Sequence, residues 1–104
     1  MDIKLDHIAI NVKDIAKSVA WYVENVDMEV LYQDDTWAVL SRDNFKIALT
    51  LKSQHPPHIG FVINEHIRRE RFADKEFKEH RDGSTSYYAS DPDGNYIEYL
   101  LWPE

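Results

Sequence analysis

From residue 4 to residue 12 apolar and polar positions alternate. Ile8, Ile10 and Val12 fall on one side of an extended strand, and Leu5, His7, Ala9 and Asn11 on the other. The period then changes. Asp14 suits a helix N-cap, and Ile15, Val19, Tyr22, Val23 and Val26 form one apolar stripe at helical spacing. Three short strands are predicted over 30–32, 36–41 and 45–51, separated by turns at Asp34-Asp35 and Asp43-Asn44. The series then starts again. Residues 58–63 alternate, with Ile59, Phe61 and Ile63 opposite His58, Gly60 and Val62, and Asn64 can cap a shorter helix over 65–73. A weak strand over 76–81 turns at Asp82-Gly83, residues 84–90 return, Asp91-Pro92-Asp93-Gly94 turns again, and residues 96–102 close the series.

Each half therefore reads β-α-β-β-β, and residue identities repeat along with the elements. Asp6-His7-Ile8-Ala9 matches Pro57-His58-Ile59-Gly60 at an offset of 51, and Asp43-Asn44-Phe45-Lys46-Ile47-Ala48-Leu49 stands above Asp93-Gly94-Asn95-Tyr96-Ile97-Glu98-Tyr99 at an offset of 50, with a turn, an aromatic and an isoleucine shared. The expected organisation is one domain of two similar modules, about 1–53 and 54–104, joined at Ser53-Gln54-His55-Pro56-Pro57.

Strand facing picks out three residues. His7 lies opposite Ile8 and Ile10, His58 opposite Ile59 and Phe61, and Glu98 opposite Ile97 and Tyr99. Each lies away from the stripe that should pack on helices. If the sheet curls, that other face is concave, and charge aimed into a partly apolar cup is costly unless paired or metal-bound. Two imidazoles and a carboxylate give a divalent ion three ligands and leave positions open for water or substrate. Imidazole binds metal only when neutral, so affinity should fall below about pH 6.5. Taken singly, each residue has a plainer reading: a lone strand histidine is more often a satisfied core or surface group, and Glu98 suits the wet side of an edge strand. Shared facing at matching repeat positions favours the metal set. His55 falls in the proline-rich joint, and His66 and His80 in charged segments where solvent is the expected neighbour. Trp37, Ala48, Tyr96 and Trp102 are candidates to line the cup against a substrate, with core or dimer contacts as the alternative for the aromatics. Trp21 sits about 100° off the helix stripe, which implies a contact outside its own core.

Composition narrows the partners. Among 104 residues the net charge is −7, which disfavours nucleic acid, and Arg68, Arg69 and Arg71 are interleaved with Glu65, Glu70 and Asp74. Cysteine is absent, which removes thiolate ligands, disulfides and a cysteine nucleophile together. No run approaches the roughly 20 apolar residues of a membrane span. The opening residues lack signal-peptide character, so a cytoplasmic protein is expected. A chain this small buries a modest share of its surface, so a homodimer is expected as well.

These residues resemble the vicinal oxygen chelate superfamily, which groups glyoxalases, bleomycin-resistance proteins and extradiol dioxygenases. The likeness is carried by Leu5-Asp6-His7-Ile8-Ala9-Ile10-Asn11-Val12, Ser18-Val19-Ala20-Trp21-Tyr22, His58-Ile59-Gly60-Phe61 and, most specifically, Asp91-Pro92-Asp93-Gly94-Asn95-Tyr96-Ile97-Glu98. The resemblance implies an α+β fold in which two βαβββ modules form a cupped mixed sheet with helices on the outer face. It also implies a divalent ion (Fe, Mn, Zn or Ni) on His7, His58 and Glu98. Glyoxalases add a fourth-strand glutamate, and the repeat puts Ala48 there, which disfavours glyoxalase I chemistry. Three ligands look like the dioxygenase and fosfomycin-resistance branches, although this chain is shorter than their usual members. Val26-Asp27-Met28 departs from the family's usual Leu-Gly-aromatic or Leu-Gly-Met.

Two functions emerge as expectations. The first is a metal-dependent enzyme that chelates neighbouring oxygens of a small molecule; no base is assigned, with Tyr87 and Tyr88 as guesses. The second is a metal-free, bleomycin-resistance-like binding protein in which the imidazoles and Glu98 are merely hydrogen-bonded. An interaction domain whose cup is filled by its own aromatics is a third, duller possibility.

Overall fold

The computed structural model describes residues 3–103. The element order is β1 (Lys4–Asn11), α1 (Ile15–Val26), β2 (Glu29–Gln33), β3 (Trp37–Arg42), β4 (Phe45–Thr50), β5 (His58–Val62), α2 (Glu65–Arg71), β6 (Lys78–Glu79), β7 (Thr85–Ser90) and β8 (Tyr96–Leu101). The β-α-β-β-β series thus occurs twice, and the fold is α+β. By contact the residues fall into two units. One is His7–His58; the other, called here the C-terminal unit, runs from Ile59 onward and includes the chain up to Asp6.

In the His7–His58 unit the strands lie in the order β2-β3-β4-β1. β1 is parallel to β4, whereas β2–β3 and β3–β4 are antiparallel, so the sheet is mixed. Helix α1 forms where the pattern requires it. Asp14 is extended and its carboxylate accepts the Lys17 N–H at 3.1 Å, satisfying one of the free amides of the first turn. The apolar stripe then buries Ile15 and Val19 against Met28, Ala38, Leu40 and Leu49, with Ile10, Val12, Tyr22, Val26, Phe45, Ile47 and Leu51 packed around them. The helix ends at Asp27, which sits in the left-handed region at φ 56°, where glycine is the usual occupant. Trp21 lies outside this core, 56% exposed and edge-on to Tyr22.

In the C-terminal unit the order is β5-β8-β7-β6, with β7 antiparallel to both β6 and β8. Asn64 caps α2 by accepting the Ile67 N–H at 2.8 Å, but the helix stops at Arg71, two residues short of the predicted end. Strand β6 has only two residues, where the sequence predicts 76–81. Lys75, Glu76, Lys78, Glu79 and Arg81 give this segment no apolar alternation to bury, so only the part paired with Thr85 and Ser86 is extended. Ile63, Ile67 and Leu100 are buried, and the rest of the packing is aromatic: Phe72 lies 4.6 Å from Tyr99 and 6.1 Å from Tyr87 between ring centres, and Phe77 lies 5.9 Å from Tyr87. No helix among the described residues is long and apolar enough to cross a membrane.

On the opening strand Ile10 packs under α1, but Ile8 stays 41% exposed, and its repeat counterpart Ile59 is 37% exposed. On β8 the buried positions are Glu98 and Leu100, whereas Ile97, Tyr99 and Leu101, the stripe expected to pack on helices, are half-buried.

Candidate metal centre

Alternation on β1 places His7, Ala9 and Asn11 on the side away from Ile10. The β1–β4 register sets His7 beside Lys46, Ala9 beside Ala48 and Asn11 beside Thr50. This face is built from small and polar side chains: Ala9 and Ala48 are buried, and Asn11 donates to Thr50 Oγ1 at 2.9 Å and to the His55 carbonyl at 2.8 Å. The second of these bonds ties the joint at residues 53–57 to β1 and so fixes the start of β5. Lys46, beside His7, does not stand out in the sequence, because a lysine on a half-buried strand carries no signature of its own.

His58 is buried, and its Nε2 lies 2.9 Å from Nε2 of His7. The rings meet edge to face, 5.0 Å between centres. The His58 Nδ1–H donates to the Pro56 carbonyl at 3.2 Å. That bond selects the tautomer in which His58 Nε2 carries a lone pair, and His7 Nε2–H is then the donor of the pair. A backbone carbonyl holding the far nitrogen is the usual device for aiming a ligating imidazole. His55 occupies the loop, as expected, with its ring 4.8 Å from that of His58.

Glu98 is 5% exposed on β8, directly opposite Tyr88 on β7. The Tyr88 hydroxyl donates to the Glu98 carboxylate, and burial together with that negative charge holds the phenol protonated well above its ordinary range. A tyrosine so placed is a donor, which argues against Tyr88 as a base. His80 is exposed, as its charged segment predicts, yet it also has protein partners: Nε2 lies 2.5 Å from Ser86 Oγ and 3.9 Å from a Glu98 oxygen. Ser86 is buried. Sequence reading misses this pair because its logic is cross-strand: the short β6 brings His80 alongside the start of β7, and the charged run around His80 hides the contact. His66, by contrast, is exposed and paired with Glu70 at 2.8 Å.

His7, His58 and Glu98 form a group that could hold a metal ion, one ligand atom from each lying within 4.8 Å of the others. The donor set suits the purpose. Two imidazole nitrogens binding one ion at roughly 2.1 Å on adjacent corners stand about 3 Å apart, near the separation found here. Among the described residues no buried side-chain nitrogen or oxygen lacks a partner, so the group also satisfies itself through the His7–His58 and Tyr88–Glu98 bonds.

The residues expected to line a ligand are less enclosed. Trp37 is 40% exposed and stacks at 4.8 Å on Tyr32, Tyr96 and Trp102 are similarly exposed, and Ala48 is buried between Ala9 and Val39. Two surface clefts, of about 470 and 330 Å³, lie elsewhere: one beside Lys13, Asp14, Gln33 and Asp34, the other along Asn11 and the 52–57 loop.

A search of curated proteins gives no match. Among solved structures the chain is similar to the hypothetical protein BH1468 from Bacillus halodurans C-125, with a TM-score of 0.76 and 18% identity over 100% of this chain and 97% of that one. It is similar to methylmalonyl-CoA epimerase from Mycobacterium tuberculosis, with a TM-score of 0.73 and 17% identity over 97% and 89% of the two chains. A Streptomyces coelicolor methylmalonyl-CoA epimerase variant in complex with 2-nitronate-propionyl-CoA gives a TM-score of 0.70 and 17% identity over 97% and 98%. At such identities the likeness establishes the fold. The sequence itself matches one family over residues 4–99, and on that match the chain belongs to the Glyoxalase/Bleomycin resistance protein/Dioxygenase superfamily.

Proposed function

We propose that the protein is a cytoplasmic, divalent-metal-dependent enzyme that acts on a small molecule bearing two neighbouring oxygens, with His7, His58 and Glu98 as the metal ligands. The observation that carries this reading is the convergence of two imidazole nitrogens and a buried carboxylate on one small space. A divalent ion there supplies a Lewis acid for vicinal oxygens. The chain's own residues supply the rest. The Pro56 carbonyl fixes the His58 tautomer, the Tyr88 hydroxyl holds Glu98, and Ala48 leaves room where a longer side chain would intrude. Trp37, Tyr96 and Trp102 provide apolar surface against which a ligand can close. Ala48 has no group to move a proton, so the reading excludes a base at that position. A small ligand and a second copy of the chain are the partners implied; the net charge of −7 supports neither DNA nor RNA.

A second reading, a metal-free binding protein, is favoured by one observation: the donors and acceptors of the group satisfy one another. Metal analysis of untagged protein separates the two. About one divalent ion per chain, lost in His58→Ala, is the result expected of the enzyme. A metal-free protein whose ligand binding survives His58→Ala overturns it in favour of the binder.

A further inference from the structure

Glu98 raises a problem of its own. A carboxylate only 5% exposed on a strand ladder must be held by donors, and as a metal ligand it must also be held in one orientation. The β7–β8 register provides the means. Tyr88 and Glu98 are directly opposed, so their side chains rise from the same face, where paired Cβ atoms stand roughly 5 Å apart. Ser86 lies two residues before Tyr88 on that face, with its hydroxyl 2.5 Å from His80 Nε2, and this nitrogen stands 3.9 Å from Glu98 Oε2. A phenol from β7 and an imidazole just beyond β6 thus stand at one carboxylate. The phenol reaches it by a hydrogen bond; the imidazole is at ionic distance and is itself fixed by Ser86.

We infer that Tyr88 is the positioning residue of the metal centre: its hydroxyl holds one lone pair of the Glu98 carboxylate so that the rest face the ion, with His80 and Ser86 buttressing the far side. The inference rests on the proposed metal reading. A carboxylate has about four acceptor sites, so one donated bond leaves ample capacity for a metal bond. What the bond removes is rotational freedom that the ion would otherwise have to freeze.

The test titrates Mn²⁺ or Zn²⁺ into the metal-free full-length chain by calorimetry, for wild type, Tyr88→Phe, Glu98→Gln and the double variant. Tyr88→Phe keeps the ring and its packing, so the melting temperature of the metal-free protein should hold while metal affinity falls 10–100-fold. In the Glu98→Gln background the same change should cost little more. The Co²⁺ absorption spectrum should shift in Tyr88→Phe, a signature that a merely structural role would not move. Unchanged affinity in Tyr88→Phe overturns this inference alone; wild type that takes up no ion overturns the metal reading and the inference with it. A second measurement does not depend on the variant folding: the metal-free wild type should show a slowly exchanging phenolic proton that is lost in Glu98→Ala, and its absence from wild type overturns the inference.

Discussion

Helix α1 runs twelve residues and rests on Leu40 and Leu49, both fully buried, whereas α2 runs seven and buries only Ile67. Both are capped the same way, Asp14 in one and Asn64 in the other, so the difference does not lie in how the helices start. It lies in the turns beyond the cap. Ile15, Val19, Tyr22 and Val26 extend a stripe through three turns, but after Ile67 the second helix offers Arg68, Arg69, Glu70 and Arg71. With so little aliphatic surface, the C-terminal unit packs through rings instead, Phe72 on Tyr99 and Phe77 on Tyr87. One element order is thus stabilised in two ways: close-packed aliphatic burial in the His7–His58 unit, and half-exposed aromatic contact in the C-terminal unit. The second is looser, and Ser84, Ser86 and Glu98 are buried there, against Thr50 and His58 in the other unit. Polar groups aimed at a site displace apolar ones that would otherwise have filled a core.

Leu49→Ala gives the sharpest break. It removes a fully buried side chain from beneath α1 and should cost about 3 kcal/mol, measured by denaturant unfolding. Phe72→Ala removes more atoms, yet from partly exposed surroundings, and should cost about 2 kcal/mol. If Phe72→Ala proves the more damaging, the aromatic cluster is the stronger core and the comparison is reversed.

The same contrast explains what could be read in advance. Where burial is periodic, sequence is enough: α1 starts on the predicted cap, and β1, β5 and β8 form where alternation predicts strands. Periodicity fails on the segment after α2, since a two-residue strand flanked by charge leaves no pattern to detect. His80 eludes the sequence for that reason; its partner Ser86 is set by register, which local composition does not encode. Nor does composition encode the Pro56 carbonyl that orients His58, because a backbone acceptor has no residue identity. Ile8 shows the opposite limit: its apolar pattern is correct, but the core under α1 takes in Ile10 and leaves Ile8 41% exposed.

Asp27→Gly sharpens the comparison from the favourable side. Asp27 closes α1 at φ 56°, ψ 37°, where a Cβ is disfavoured, and places a negative charge at the negative end of the helix. Arg42 lies 3.7 Å away, but the Asp27 side chain is 82% exposed, so the pair contributes little. Glycine should therefore stabilise the protein by about 0.5–1 kcal/mol, seen as a raised unfolding midpoint with the slope unchanged. A loss of stability instead would mean that the Arg42 contact outweighs the backbone gain.

Acid should act locally, and the smallest of these effects falls on the turn between β6 and β7. The Ser84 hydroxyl, at 2.6 Å, and its N–H, at 2.9 Å, both donate to Asp82 and hold that carboxyl below the ordinary aspartate range. A depressed value in the folded state means that the stabilisation is fully present above the unfolded pKa, near 4, and is lost as pH falls through the folded value. Protonation weakens Asp82 as the acceptor of both Ser84 bonds, and Ser84 is only 1% exposed and has no ready access to water. The Ser84 amide resonance should therefore move, and its hydrogen exchange become less protected, as pH falls below about 4. Amides of Ala38 and Leu40, with no carboxylate among their ladder partners, should not change with it over that range. In Asp82→Asn the Ser84 transition should vanish, since the amide oxygen accepts at every pH. A Ser84 amide insensitive to acid in wild type would mean that the turn is held by Gly83, at φ 88°, and the His80 carbonyl bond alone.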